Sequence, residues 1–172
     1  MAFDIRRADE GDIPFVMATE RGEGFAAVVG RWDEARHRAA LADGEHAYFI
    51  GRKDGRPRGF VIFRSWNSSE RVCLLKRIAV DRPGEGDGRL LLRAAVGAAF
   101  GETDVHRLWL GVFPDNARAR RAYEACGFQA EGTARGSAFF DGRHRDELVM
   151  SLLRHEWLAT RSEHPDASGN SP

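Results

Sequence analysis

Between Arg71 and Val112 the chain changes period twice, and that alternation restricts the folds open to it more than any other feature. Arg71 to Val80 (RVCLLKRIAV) is a strand-like run that enters a Pro/Gly cluster, Arg89 to Phe100 is helical, and Arg107 to Val112 is again a strand. This is a strand, helix, strand crossover. Before it, Phe3 to Arg7 reads as a strand. Asp9 to Glu20 has an acidic first turn with Ile13, Val16 and Met17 at helical spacing, and Trp32 to Ala42 reads as a second helix ending near Gly44. His46 to Arg52 and Gly59 to Arg64 are aromatic and β-branched runs joined by turn residues, so they predict an antiparallel hairpin. After the crossover come a helix, Asn116 to Cys126, and closing strands at Phe128 to Arg135 and Glu147 to Leu153. The order β, α, α, β, β, β, α, β, α, β, β is a mixed α/β pattern.

The 172 residues suit a single domain, expected over 1–160, and 42% apolar residues are enough for a real core. Arg161 to Pro172 (RSEHPDASGNSP) is too polar to order itself and is expected to be a disordered tail. Twenty-six Lys and Arg balance 26 Asp and Glu, so no global field draws the chain to nucleic acid or an anionic membrane. Cys73 and Cys126 are too few for a disulfide framework, and the six histidines lack metal spacing, so no metal is proposed. MAFDIRRADE has no apolar h-region and no stretch is long enough for a membrane helix, which predicts a soluble cytoplasmic protein.

Chemistry first shows in Asp81 to Leu92 (DRPGEGDGRLLL), where glycines 84, 86 and 88 leave a strand and enter a helix. Glycine permits positive φ and removes the Cβ that would keep a bulky ligand from the backbone amides. With the unpaired first-turn amides and the helix dipole, such a turn can hold a phosphate, flanked here by Arg82 and Arg89. The same glycines also suit simple turn punctuation, and Glu85 and Asp87 place negative charge where an anion would approach. The loop lacks the Lys-Ser/Thr of a P-loop and the GxGxxG spacing, which argues against a triphosphatase or a nicotinamide dehydrogenase.

A second motif lies in Leu108 to Phe128 (LWLGVFPDNARARRAYEACGF), a strand, a turn, then a helix closed by Gly127. Asn116 and Tyr123 are nearly two helical turns apart, so they share one face with Ala119 between them. A helix that merely packs on the sheet, with Asn116 at its start, fits these residues equally.

Together the two motifs resemble the GNAT superfamily of acetyl-CoA-dependent N-acetyltransferases. Gly86 and Gly88 fall on that family's pyrophosphate loop, followed by its Arg-x-Leu-Leu run at Arg89 to Leu92. Asn116, Ala119, Tyr123, Gly127 and Phe128 match its Asn-x-x-Ala-x-x-x-Tyr-x-x-x-Gly-Phe helix, and the resemblance extends from Phe3 to Glu156. Pro83 stands where the family has Arg or Gln, with Arg82 a substitute, and Asp87 replaces an apolar or small residue.

The resemblance implies a mixed, mostly antiparallel sheet with a central splayed strand pair and helices on both faces. It also implies acetyl-CoA as co-substrate, held by Ile78, Ala79 and Val80 on the splayed strand, by Arg82, Gly84, Gly86, Asp87, Gly88 and Arg89 in the loop, and by Asn116, Ala119 and Tyr123. Tyr123 is the expected general acid, since a phenol is protonated at neutral pH and can donate to a leaving sulfur. Glu20 and Glu23 are candidates for the general base, although a surface carboxylate without a role is the commoner reading of such a residue, and Glu70, which opens the strand opposite the splay, is another.

The acceptor end is expected from Glu20 to Trp32 and Ser137 to Arg145, with Phe25, Trp32, Phe139 and Phe140 as apolar walls and Glu23, Asp141 and Asp146 holding a cation. The implied acceptor is a small-molecule amine or a peptide N-terminus, with no nucleic acid and no membrane, and a homodimer is left open. The function expected is N-acetyl transfer to a primary amine. The competing readings are a non-catalytic acyl-CoA-binding sensory module and a nucleotide-phosphate site built on the glycines.

Overall fold

The computed structural model describes residues 2–163. One seven-stranded sheet runs in the order β1 (Phe3–Arg7), β2 (His46–Lys53), β3 (Arg56–Arg64), β4 (Val72–Val80), β5 (Arg107–Val112), β7 (Arg143–Leu153), β6 (Gln129–Phe140). Every neighbouring pair is antiparallel except β4 and β5, which the crossover helix α3 (Asp87–Glu102) makes parallel. The remaining helices are α1 (Ile13–Glu20), α2 (Glu34–Ala42), α4 (Ala117–Ala125) and α5 (Arg154–Glu163).

Local chemistry starts these helices. Asp9 accepts from the Gly11 amide at 2.8 Å while Asp12 accepts from the Asp9 amide at 2.9 Å, a reciprocal cap on the short 3-10 turn that leads into α1. Asp33 caps α2 by accepting from Arg36 N at 2.8 Å, which moves the helix start from the expected Trp32 to Glu34.

Phe60, Val61, Ile62 and Phe63 of β3 have no exposed surface, because helices cover both faces of the sheet at this point. Val80 of β4 sits opposite Gly59, over which Leu91 of α3 presses, whereas Arg77, three residues back and on the other face, bonds Glu20 of α1. A Cβ on Gly51 or Gly59 would lie 2.7 or 2.9 Å from a Leu91 methyl, so α3 can dock only where these two positions lack side chains.

Two features position the site. Ile62 pairs with Arg77 but its neighbour Phe63 pairs with Leu75, which leaves Lys76 as the extra residue of a bulge in β4. On its other edge β4 meets β5 only at Val72, Cys73 and Leu74; from Leu75 to Val80 that edge carries no ladder, and the two strands part.

The C-terminal third differs from expectation. The connection expected at Ser137 to Arg145 is the tip of a long β6–β7 hairpin, turned by Asp141 and Gly142 at φ of 53° and 75°, the geometry a two-residue hairpin turn needs. Helix α5 was not expected, and the tail placed from Arg161 begins inside it: Arg161 lies over the Trp157 ring at 5.0 Å and the Ser162 hydroxyl donates to Leu158 O at 3.1 Å. The rest of that tail, 164–172, lies outside the described residues. Among the described residues no helix is long and apolar enough to cross a membrane.

Candidate active site

Where β4 and β5 separate, a cavity of about 850 Å³ opens between them. The glycine loop and Arg89 line one end. Ile78, Ala79 and Val80 form one wall with Ala119 and Tyr123 of α4 across from it. The far end is built from Phe25, Trp32, Lys76 and Arg77 and from the hairpin residues Phe139, Asp141 and Glu147.

Gly84 and Gly86 adopt φ of 99° and 87°, values that strain any residue with a Cβ. Gly86 is the N-cap of α3 and offers no side-chain cap, so the Asp87 and Gly88 amides stay free at the positive end of a 16-residue helix, while the Arg89 amide turns back to Gly86 O at 3.1 Å. That end can take an anion. The acidic loop residues do not oppose this, because Arg58 gathers both: its Nη2 donates to Glu85 at 2.6 Å and its Nε to Asp87 at 2.8 Å, while Lys53 donates to Asp87 at 3.0 Å. Burial raises the Asp87 carboxyl, but bonds from Lys53 and Arg58 outweigh that and hold it below the usual range.

Asp87 was expected to touch the cofactor and instead is a buried strut under the loop, away from the cavity. Arg82 is also off the cavity, exposed, with Asp81 at 4.0 Å as an ionic partner.

On α4, Asn116 Oδ1 accepts from the Ala119 amide at 3.2 Å, so the side chain caps the helix while its residue lines the cavity. Tyr123 is nearly buried against Phe128, and its phenol is pushed up to about 12 by burial alone. It therefore stays protonated throughout the physiological range. Arg118 reaches the cavity beside Phe25, at 5.9 Å from the ring.

Glu20, expected as a candidate base, is fully buried behind the cavity rather than in it. Arg77 donates to its Oε2 at 2.7 Å, and Oε1 receives the Trp32 amide at 3.1 Å, Arg21 at 3.0 Å and His37 Nε2 at 3.1 Å. Burial raises this carboxyl, and the bonds from His37 and Trp32 with the Arg77 charge more than reverse it, keeping it ionised and below the ordinary range. A buried carboxylate that accepts four hydrogen bonds, two of them from arginines, is held in its charged form and is poorly placed to take a proton from a substrate. With Nε2–H given to Glu20, His37 Nδ1 accepts the Tyr48 hydroxyl at 3.1 Å, completing a buried chain from β2 to Arg77.

Glu23 and Glu70 are exposed and Asp146 accepts from the Gly136 amide at 2.7 Å; none of the three lines the cavity. Phe25 and Trp32 do line it from buried positions, Phe139 and Phe140 line it from the hairpin, and Phe139 is 70% exposed.

Residues that the sequence did not single out also stand in the cavity, among them Arg36 of α2, Arg77, Lys76 at the bulge, and Glu147 of β7. The Glu147 carboxylate lies over Gly111, where a Cβ would meet its Oε1 at 2.6 Å, and its Oε2 accepts the Ser137 hydroxyl at 2.7 Å. The signal available for Glu147 was an acid at the head of an otherwise apolar closing run, ELVMSLL.

A parallel strand pair that splays at a bulge, followed by a glycine loop, is the frame of a thioester-binding transferase fold. Residues 15–128 match the model of the acetyltransferase (GNAT) family, and the chain belongs to that family. It is similar to a spermidine N(1)-acetyltransferase of Vibrio cholerae, 35% identical over 86 residues, a match that spans 50% of this chain and 49% of that protein. A spermidine N(1)-acetyltransferase of Escherichia coli K12 is 25% identical over 138 residues, 80% of this chain and 72% of that one. The crystal structure of the Vibrio cholerae spermidine N-acetyltransferase with CoA and spermine shares the fold, with a TM-score of 0.79 and 22% identity over 91% of this chain and 98% of that one.

Proposed function

We propose that the chain transfers an acetyl group from acetyl-CoA to a primary amine by direct attack. The observation that carries this reading is the convergence, in one cavity, of the unladdered edge of β4, the bare amides before α3 and the protonated Tyr123 phenol. The glycine loop and Arg89 suit the diphosphate, and the free edge from Ile78 to Val80 suits the amide groups of a pantetheine arm and the thioester carbonyl.

The amine nitrogen attacks the carbonyl carbon, and the negative charge that develops on oxygen is met by β4 amides. As the C–S bond breaks, the Tyr123 hydroxyl gives its proton to sulfur and is reprotonated with the proton shed by the ammonium. Asn116 holds the start of α4, and so the phenol's position, through its cap on Ala119.

The family relatives support an enzyme over a sensory module, and the pairing of Asp87 by Lys53 and Arg58 takes its negative charge out of the way of an arriving diphosphate. Calorimetric titration with CoA, then release of free thiol from acetyl-CoA against a panel of amines, tests the reading. Binding with release is expected; binding without release to any amine would favour the sensor, and protection by ATP with none by CoA would favour a nucleotide site.

A further inference from the structure

Charge is unevenly distributed in the cavity: among the described residues Arg31, Arg36, Lys76, Arg77, Arg89 and Arg118 line it, against Asp141 and Glu147. Arg89 belongs to the phosphate end. Arg36, Lys76 and Arg77 collect around the Trp32 indole at 4.3, 6.0 and 4.7 Å, at the opposite end. Val80, where the glycine loop begins, lies four residues beyond Lys76, about 13 Å along an extended strand, so the diphosphate end does not account for them. Arg77 is matched by Glu20. For Arg36 and Lys76 no carboxylate lies within 4.0 Å among the described residues. Lys76, the extra residue of the bulge, lines the cavity, and its ammonium is held below its ordinary value by partial burial and by the neighbouring charges of Arg77, Arg64 and Arg36, against an opposing pull from the Glu147 carboxylate. Across the gap stands Glu147, fixed over Gly111 by Ser137.

Resting on the acetyl-transfer reading, we propose that the acceptor is a small primary amine that also carries an anionic group, the anion lying on Arg36 and Lys76 and the amine facing Glu147. A guanidinium stacked on an indole is oriented without being neutralised, and an ammonium crowded by cations gains when an anion arrives. A polyamine would bring several positive charges to the same wall. Carboxylate and phosphate both satisfy this chemistry, so the acceptor class spans amino acids and amino phosphates.

The test measures kcat/KM with acetyl-CoA for the full chain on acceptors matched in shape: an amino acid against its amide, phosphoethanolamine against ethanolamine, and spermidine. The expected result is that the anionic member of at least one pair exceeds its neutral partner by about tenfold or more, and that this ratio collapses toward one in an Arg36→Ala, Lys76→Met double variant. The carboxylate and phosphate pairs say which anion is read, and a ratio measured within one preparation is unaffected by loss of folded protein. Spermidine or the neutral partners used as well as the anionic ones would overturn the proposal while leaving acetyl transfer intact. No thiol release with any acceptor would overturn both.

Discussion

Glu20 and Tyr123 show how burial assigns opposite tasks to two ionisable side chains. Burial of Glu20 is answered by four donors, so its charge is structural; burial of Tyr123 is unanswered, so it keeps its proton. Glu20→Ala leaves Arg77 and His37 without their partner and is expected to cost about 3–5 kcal/mol, read as a fall in the urea midpoint; a change below about 1 kcal/mol would contradict the network. Tyr123→Phe is expected to lower kcat roughly tenfold or more while the Kd for CoA from calorimetry stays within about twofold, and an unchanged kcat would reject its role as acid. In the sequence, Tyr123 is legible because its helix partners are four and seven residues away. Glu20 is not, because Arg77 reaches it across 57 residues on the far face of β4.

Among elements, the glycine loop and α3 act together. Gly86→Ala places a Cβ at a φ of 87° with no atom to clash against, so its effect is backbone strain alone. Strain of about 1–3 kcal/mol is expected, with a lower melting temperature and weaker CoA binding by calorimetry; an unchanged Kd would mean that the loop's conformation does not hold the ligand. The elements legible in sequence are those with their own period and caps, such as the β2–β3 hairpin, α3 and α4. The β6–β7 extension carried a visible Asp-Gly turn signal within an otherwise weakly alternating stretch. Helix α5 depends on tertiary partners: Arg154 donates to the carbonyls of Phe100, Thr103 and Val105 at 2.7–2.8 Å, and Trp157 stacks on Phe100 at 5.1 Å. Neither contact follows from the local sequence.

At the scale of the molecule, ion pairs tie distant segments together and make stability depend on acid. Arg6 bonds lower Asp12, the His37, Trp32 and Arg77 partners of Glu20 win against its burial, and Glu131 is drawn down to about 2 by Arg107 and the Ser151 hydroxyl. The unfolded chain therefore takes up protons first as pH falls. The stabilisation is full above pH 4.5, the ordinary glutamate value, and is lost progressively toward pH 2. Urea midpoints are expected to hold level from about pH 8 to pH 5 and fall below that; a midpoint independent of pH down to about pH 3 would contradict it. The β-α-β crossover made the parallel strand pair legible in the sequence, and the family resemblance implied its splay. The cationic wall was hidden, since Arg36 of α2 and Lys76 of β4 come together only around the Trp32 indole. A crystal structure with CoA tests most directly whether the gap between β4 and β5 holds the thioester donor. The prediction is a diphosphate on the amides at 84–88 and a sulfur within hydrogen-bonding reach of the Tyr123 hydroxyl; CoA bound elsewhere, or its sulfur turned away from Tyr123, would contradict it.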